Sequence, residues 1–111
     1  GHEGGIGKWL QAWGSAHNFQ TDSDWGGNIF IRVPATPGYE SSPSLVLQTH
    51  MDMVCEKVEG LAHDFTKDAI TIVRDGEWLR AQGTTLGADD GIGMALTLSI
   101  AEDRTLPHPR L

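Results

Sequence analysis

Apolar residues recur at Ile6, Trp9, Leu10, Trp13 and Ala16, the three-and-four spacing that turns one face of a helix toward a core. The spacing predicts an amphipathic helix over residues 3–19 with Trp9 and Trp13 in the core. Gly4, Gly5 and Gly7 weaken its first turns, each by about 1 kcal/mol relative to alanine. A turn-rich stretch, 21–27, leads to Asn28-Ile29-Phe30-Ile31-Arg32-Val33, which reads as a strand ended by Pro34, since proline cannot donate to a ladder. Residues 35–43 read as loop. Ser44-Leu45-Val46-Leu47-Gln48 is a short apolar run between Pro43 and a polar cluster, the pattern of a central buried strand. Asp75-Gly76 favours the positive φ of a two-residue hairpin turn and predicts two further strands, over 69–74 and 77–81. From residue 89 to about 102 the pattern is helical, apolar around much of its circumference and therefore expected to be buried, with Gly83 and Gly87 leading into it. A mixture of strands and helices of this kind is α/β.

No repeat, low-complexity tract or charge block interrupts the chain, so one domain or part of one is expected. Charge then narrows the functions. Eight Lys+Arg against fifteen Asp+Glu give a net charge of −7 and leave no basic stretch to displace counterions from phosphate, which argues against nucleic-acid binding. Clustered carboxylates suit cations instead. No run approaches eighteen apolar residues, so no membrane span is expected. The one cysteine, Cys55, cannot form an internal disulfide, and no charged-then-apolar leader is seen; both suit the cytoplasm. The chain starts at Gly1-His2 without a methionine and runs out through Leu106-Pro107-His108-Pro109-Arg110-Leu111, where the residue before each proline is pushed out of helical geometry. It reads as a piece of a longer protein.

Two constellations carry chemistry. In Thr49-His50-Met51-Asp52, residues two apart on extended backbone share a face, so the Asp52 carboxylate can hold one imidazole nitrogen of His50 while the other faces a metal. Chance alone gives a His-x-Asp about 0.4 times in a chain of this composition, so the pair depends on its context, the carboxyl end of an apolar run where α/β sheets place their ligands. The second is Gly83-Thr84-Thr85-Leu86-Gly87-Ala88-Asp89-Asp90-Gly91-Ile92-Gly93. Two adjacent carboxylates open a helix among glycines, which fits a bound cation and fits N-capping equally well. A phosphate loop would need Gly-Lys-Ser/Thr and would be repelled by both aspartates. His2, His17, His63 and His108 have no carboxylate two residues on and read as surface or structural, Cys55 as an inert thiol.

These strings, together with Gly27-Asn28-Ile29, Leu47-Gln48-Thr49-His50-Met51-Asp52-Met53-Val54, His63-Asp64-Phe65-Thr66-Lys67-Asp68 and Asp75-Gly76-Glu77-Trp78-Leu79, resemble the aminoacyl-histidine dipeptidases, also known as Xaa-His or cytosol nonspecific dipeptidases, a branch of the two-zinc metallopeptidases. The resemblance covers nearly the whole chain. It implies an α/β fold with a partial mixed sheet flanked by helices, residues 1–111 being the N-terminal portion of a metal-binding catalytic domain. It implies two zinc ions, with His50 ligating one, Asp89 bridging both and Asp52 orienting His50, and a non-proline cis peptide at Asp89-Asp90.

The same resemblance puts the general-base Glu, a neighbouring ligand Glu, an Asp ligand, a distant His ligand and a lid domain beyond Leu111. The fragment alone is therefore expected to be inactive, while the parent hydrolyses dipeptides and has room to form a homodimer. Asp90 stands where relatives often carry Asn, and Gly4-Gly5 where they carry acidic helix formers. A related tripeptidase or deacylase is the first alternative, though Gly91 stands where a tripeptidase-like relative would carry Lys. A non-enzymatic metal-binding domain is the second.

Overall fold

A computed structural model describes residues 3–111; Gly1 and His2, the latter read as surface or structural, lie outside the described residues. The opening apolar stripe forms α1, Gly4–Ala16. Its end is set by Asn18, which adopts a left-handed φ of 60°. The backbone N–H of Phe19 then reaches Gly14 O at 2.8 Å and that of Asn18 reaches Ser15 O at 3.0 Å, satisfying carbonyls that the last helical turn leaves open. Gly7, Leu10 and Gly14 are the buried positions of α1. Trp13 is half-buried against His17 and Phe19. Trp9, expected in the core, is 51% exposed; it lies off the face that meets the sheet.

That sheet has one more strand than the pattern suggested. The stretch 21–27 reads as turn-rich, yet β1, Gln20–Ser23, pairs antiparallel with β2, Ile29–Arg32, in the register Thr21 to Ile31 and Asp22 to Phe30. The polar Gln-Thr-Asp-Ser sequence has little strand signal of its own; pairing with an apolar neighbour and an Asp22–Arg32 ion pair supply what composition does not. The turn is confined to Asp24–Asn28, where the Asp24 carboxylate accepts the backbone N–H groups of Gly26 and Asn28 at 2.9 Å each and the Asn28 side-chain amide at 2.8 Å. The Asn28 side chain, followed by these N–H groups, holds the Asp24 carboxyl below its ordinary pKa. α1 packs across both strands. Leu10 and Val33, 8% and 5% exposed, mark this small core.

Elsewhere the chain is open. β3, Ile72–Asp75, and β4, Trp78–Ala81, form a second antiparallel pair. Asp75 pairs with Trp78, so the turn is Gly76-Glu77 rather than Asp75-Gly76, with Gly76 supplying a φ of +62° at the first central position. Residues 44–48 do not form the expected buried strand: Leu45 and Val46 are exposed. A ladder needs a neighbour along its length, and among the described residues this run gains one such backbone bond, from Leu45 N–H to Arg110 O at 2.9 Å. Val33 and Leu111 exchange both backbone bonds, at 2.9 and 3.0 Å, so the terminal segment lies beside the end of β2.

α2, Ala88–Glu102, carries no buried residue despite its apolar sequence, and Ile92 is 61% exposed. No other described element packs against it. The radius of gyration, 16.8 Å, exceeds the roughly 13 Å of a compact chain this long. Two helices and two small antiparallel sheets keep the chain in the α/β class. Among the described residues no helix is long and apolar enough to cross a membrane.

Candidate metal centre

His50 lies on an irregular segment that borders an open cleft of about 990 Å³, walled by α1, the β1–β2 turn and residues 46–52. Lys8, Asp24, Asn28 and Asp52 share this lining. Asp52 stands two residues past His50, with its carboxylate 3.3 Å and its backbone carbonyl oxygen 3.2 Å from the ring Nδ1. Asp89 approaches the opposite edge of the ring, its Oδ1 3.0 Å from Nε2. The three residues that the sequence singles out therefore meet, although 39 positions separate His50 from Asp89.

The backbone before α2 explains how two neighbouring aspartates part company. The Asp89–Asp90 peptide bond is cis, as the resemblance implied. Both residues depart from helical geometry, Asp89 at φ −96°, ψ 105° and Asp90 at φ −114°, ψ 36°. Asp89 points out to the imidazole, its side chain 96% exposed. Asp90 turns back, and its Oδ1 accepts the Gly93 N–H at 3.1 Å, which caps the regular part of the helix. A Cβ on Gly93 would collide with that carboxyl. Capping thus falls to Asp90, while Asp89 faces the imidazole.

Electrostatics at the ring follow from its flanks. An oxygen acceptor faces each ring nitrogen, an arrangement that favours the protonated imidazole. The Asp89 carboxylate, then the Asp52 carbonyl and the two carboxylate charges, raise the His50 pKa above its ordinary value while desolvation opposes them. A metal ion would compete for the place that the Nε2 proton holds. Tetrahedral zinc at usual bond lengths holds a nitrogen and an oxygen ligand about 3.4 Å apart. The 3.0 Å pair is within a few tenths of an ångström of that spacing. Donor chemistry fits as well, a ring nitrogen with a carboxylate behind it and a second carboxylate in front.

Among the described residues, no group of three or more His, Cys, Asp or Glu comes close enough to hold an ion. The other described histidines stay apart: His17 Nδ1 donates to Trp13 O at 2.8 Å and its Nε2 lies 3.5 Å from a Glu102 carboxylate oxygen, His63 packs edge-on against Phe65, and His108 is buried beside Thr36. Cys55 is exposed.

Sequence reasoning missed two contacts that frame the site. Thr85 Oγ1 donates to Val54 O at 2.5 Å and accepts the Glu56 N–H at 3.3 Å. Gly87, at φ +72°, lies so close to Met53 that an added Cβ would be 2.9 Å from its Sδ and 3.3 Å from its Cβ. A threonine pair between two glycines was the available signal.

No family model matches the chain. It is 47% identical over 107 residues to the cytosol non-specific dipeptidase of Escherichia coli (strain K12), a match covering 96% of this chain and 22% of the relative. It also superposes on the crystal structure of aminoacylhistidine dipeptidase from Vibrio alginolyticus with a TM-score of 0.93 at 45% identity, covering 98% of this chain and 22% of that one. The chain spans about a fifth of the length of each.

Proposed function

We propose that this chain, homologous over almost its whole length to proteins named as dipeptidases, is the N-terminal portion, residues 1–111, of the metal-binding catalytic domain of a longer enzyme. That enzyme is a cytosolic two-zinc peptidase that hydrolyses Xaa-His and related dipeptides. The observation that carries the reading is the meeting of His50 and Asp89, with Asp52 behind the imidazole, inside a segment 47% identical to such a dipeptidase.

His50, through Nε2, and Asp89 would hold zinc. Asp52 holds Nδ1–H, which fixes the tautomer that presents Nε2 to a cation and makes it a more basic ligand. Zinc, when bound, supplies Lewis-acid polarisation of the scissile carbonyl and brings the pKa of water toward neutrality. Three protein ligands are usual for a catalytic zinc, so the other ligands and the general-base Glu come from the longer protein. Within this segment the task is placement: Asp89 concentrates negative charge, and Asp90 anchors the turn from which Asp89 projects.

The test is made on the protein as its gene encodes it. His50→Ala and Asp89→Ala are each expected to lower zinc content per subunit and to cut kcat/KM for β-alanyl-histidine by at least about 100-fold, the loss of a transition-state interaction near 2.7 kcal/mol. Near-normal turnover and full zinc in either variant refute the assignment.

A further inference from the structure

The segment that carries His50 has no regular secondary structure, and Asp89 stands in the distorted first turn of α2, so no shared sheet holds the two in register. What joins them is a short antiparallel contact. Val58 N–H donates to Gly83 O at 2.9 Å, Lys57 faces Thr84 across an isolated bridge, and Thr85 N–H donates to Glu56 O at 2.9 Å. At the end nearest the site the ladder stops, and a side chain takes over. The Thr85 hydroxyl donates to Val54 O and accepts the Glu56 N–H, satisfying two backbone groups of the opposite segment with one oxygen.

Position gives this hydroxyl its leverage. Val54 is two residues from Asp52, and Thr85 is four residues from Asp89. Extended chain advances about 3.3 Å per residue, so a slip of one position would move His50 relative to Asp89 by more than the whole contact between them, and would turn alternate side chains to the other face. The observed Nε2 to Oδ1 separation is 3.0 Å. The backbone bonds join Val58 to Gly83 and Thr85 to Glu56, and the link onward to Val54 is made by the Thr85 hydroxyl.

We infer that Thr85 is a positioning residue of the metal centre: its hydroxyl pins the 54–56 backbone and so sets the approach of His50 to Asp89. The inference rests on the metal-site reading above. The neighbouring Thr84 provides an internal control, because its hydroxyl is buried with no hydrogen-bond partner. Two adjacent threonines in one turn therefore have opposite expectations.

In the protein as its gene encodes it, Thr85→Val, Thr85→Ser and Thr84→Val are compared by zinc affinity in chelator competition, by the visible spectrum of the cobalt-substituted protein, and by kcat and KM. Thr85→Val is expected to weaken zinc binding about 10- to 100-fold, the range seen when a partner behind a ligand is lost, to change the cobalt spectrum, and to lower kcat more than it raises KM. Thr85→Ser keeps the hydroxyl and restores both affinity and spectrum. Thr84→Val matches the parent.

If valine prevents folding, Thr85→Ala is read in its place, since it retains the backbone bonds and loses only the side chain. An unchanged zinc affinity and cobalt spectrum in the valine or alanine variant overturns the inference, as does an equal loss in Thr84→Val. His50→Ala measured alongside separates the two failures. If it loses zinc while Thr85→Val does not, the positioning role alone falls; if it keeps zinc and turnover, the metal-site reading falls with it.

Discussion

Gly87→Ala perturbs a point where the two segments of the site lie close together. Gly87 sits at φ +72°, ψ 24°, a left-handed conformation that costs a residue with a Cβ about 1–2 kcal/mol. The new methyl would also lie 2.9 Å from Met53 Sδ and 3.3 Å from Met53 Cβ, closer than packed atoms tolerate. The thioether can swing aside, but the Cβ moves only with the backbone, so overpacking adds about 1–3 kcal/mol. Together the loss is about 2–5 kcal/mol.

Urea unfolding of the single variant and of the pair with Met53→Gly, which removes the thioether and the Cβ together, separates the two contributions. In the Met53→Gly background both contacts are gone, and the cost of Gly87→Ala is expected to fall to the backbone share of about 1–2 kcal/mol. Equal costs in both backgrounds, within the roughly 0.5 kcal/mol by which independent sites add, would show that Met53 does not press on this turn and would refute the argument.

Other consequences are open to direct measurement. Asp52→Asn keeps the shape of the side chain but removes the charge behind His50, and is expected to weaken zinc binding about 10- to 100-fold with reduced activity; equal affinity by chelator competition counts against its orienting role. Gly5→Ala, with nothing within 4 Å of the added Cβ, should stabilise α1 by about 0.5–1 kcal/mol in thermal melts, whereas Gly14→Ala should be destabilising because its Cβ collides with the Thr21 methyl. Equal stabilisation by both would remove the close helix-to-strand approach. Asp64 accepts from the Thr66 hydroxyl and from Lys67, which lowers its pKa from 3.8 to about 2. Because the folded value is depressed, the stabilisation is full above the unfolded pKa and is lost as pH falls toward 2. A carboxyl NMR titration should show that midpoint and its rise in Thr66→Ala; an ordinary midpoint in the parent contradicts the contacts.

Much of this was legible from residue patterns, and the exceptions share a cause. α1, β2 and the second hairpin are local: their spacing, capping and turn residues lie within the elements themselves. β1 was hidden because Gln20–Ser23 becomes a strand through its neighbour and not through its own side chains. The burial expected of residues 44–48 and of α2 came from their apolar composition, yet burial depends on what lies opposite, and among the described residues nothing covers Val46 or Ile92. At the site, His50 and Asp52 were readable as a pair because two residues on extended backbone share a face. Asp89 and Asp90 looked interchangeable in sequence; their division into an outward carboxylate and a helix cap depends on backbone angles that neither residue type specifies. The Thr85 hydroxyl bonds span 29 and 31 positions, a separation at which local pattern carries no information.

The contact between residues 54–58 and 83–85 also divides the chain topologically. Residues 59–82, with the β3–β4 hairpin among them, hang from it as a lobe stitched shut at its neck. Changes of length inside such a lobe act on the entropy of closing it, at only about 0.6 kcal/mol for each doubling, and leave the stitch in place. The Gly76-Glu77 tip is thus a place where the chain can take insertions while His50 and Asp89 keep their spacing, and the neck insulates the chemistry from variation further out.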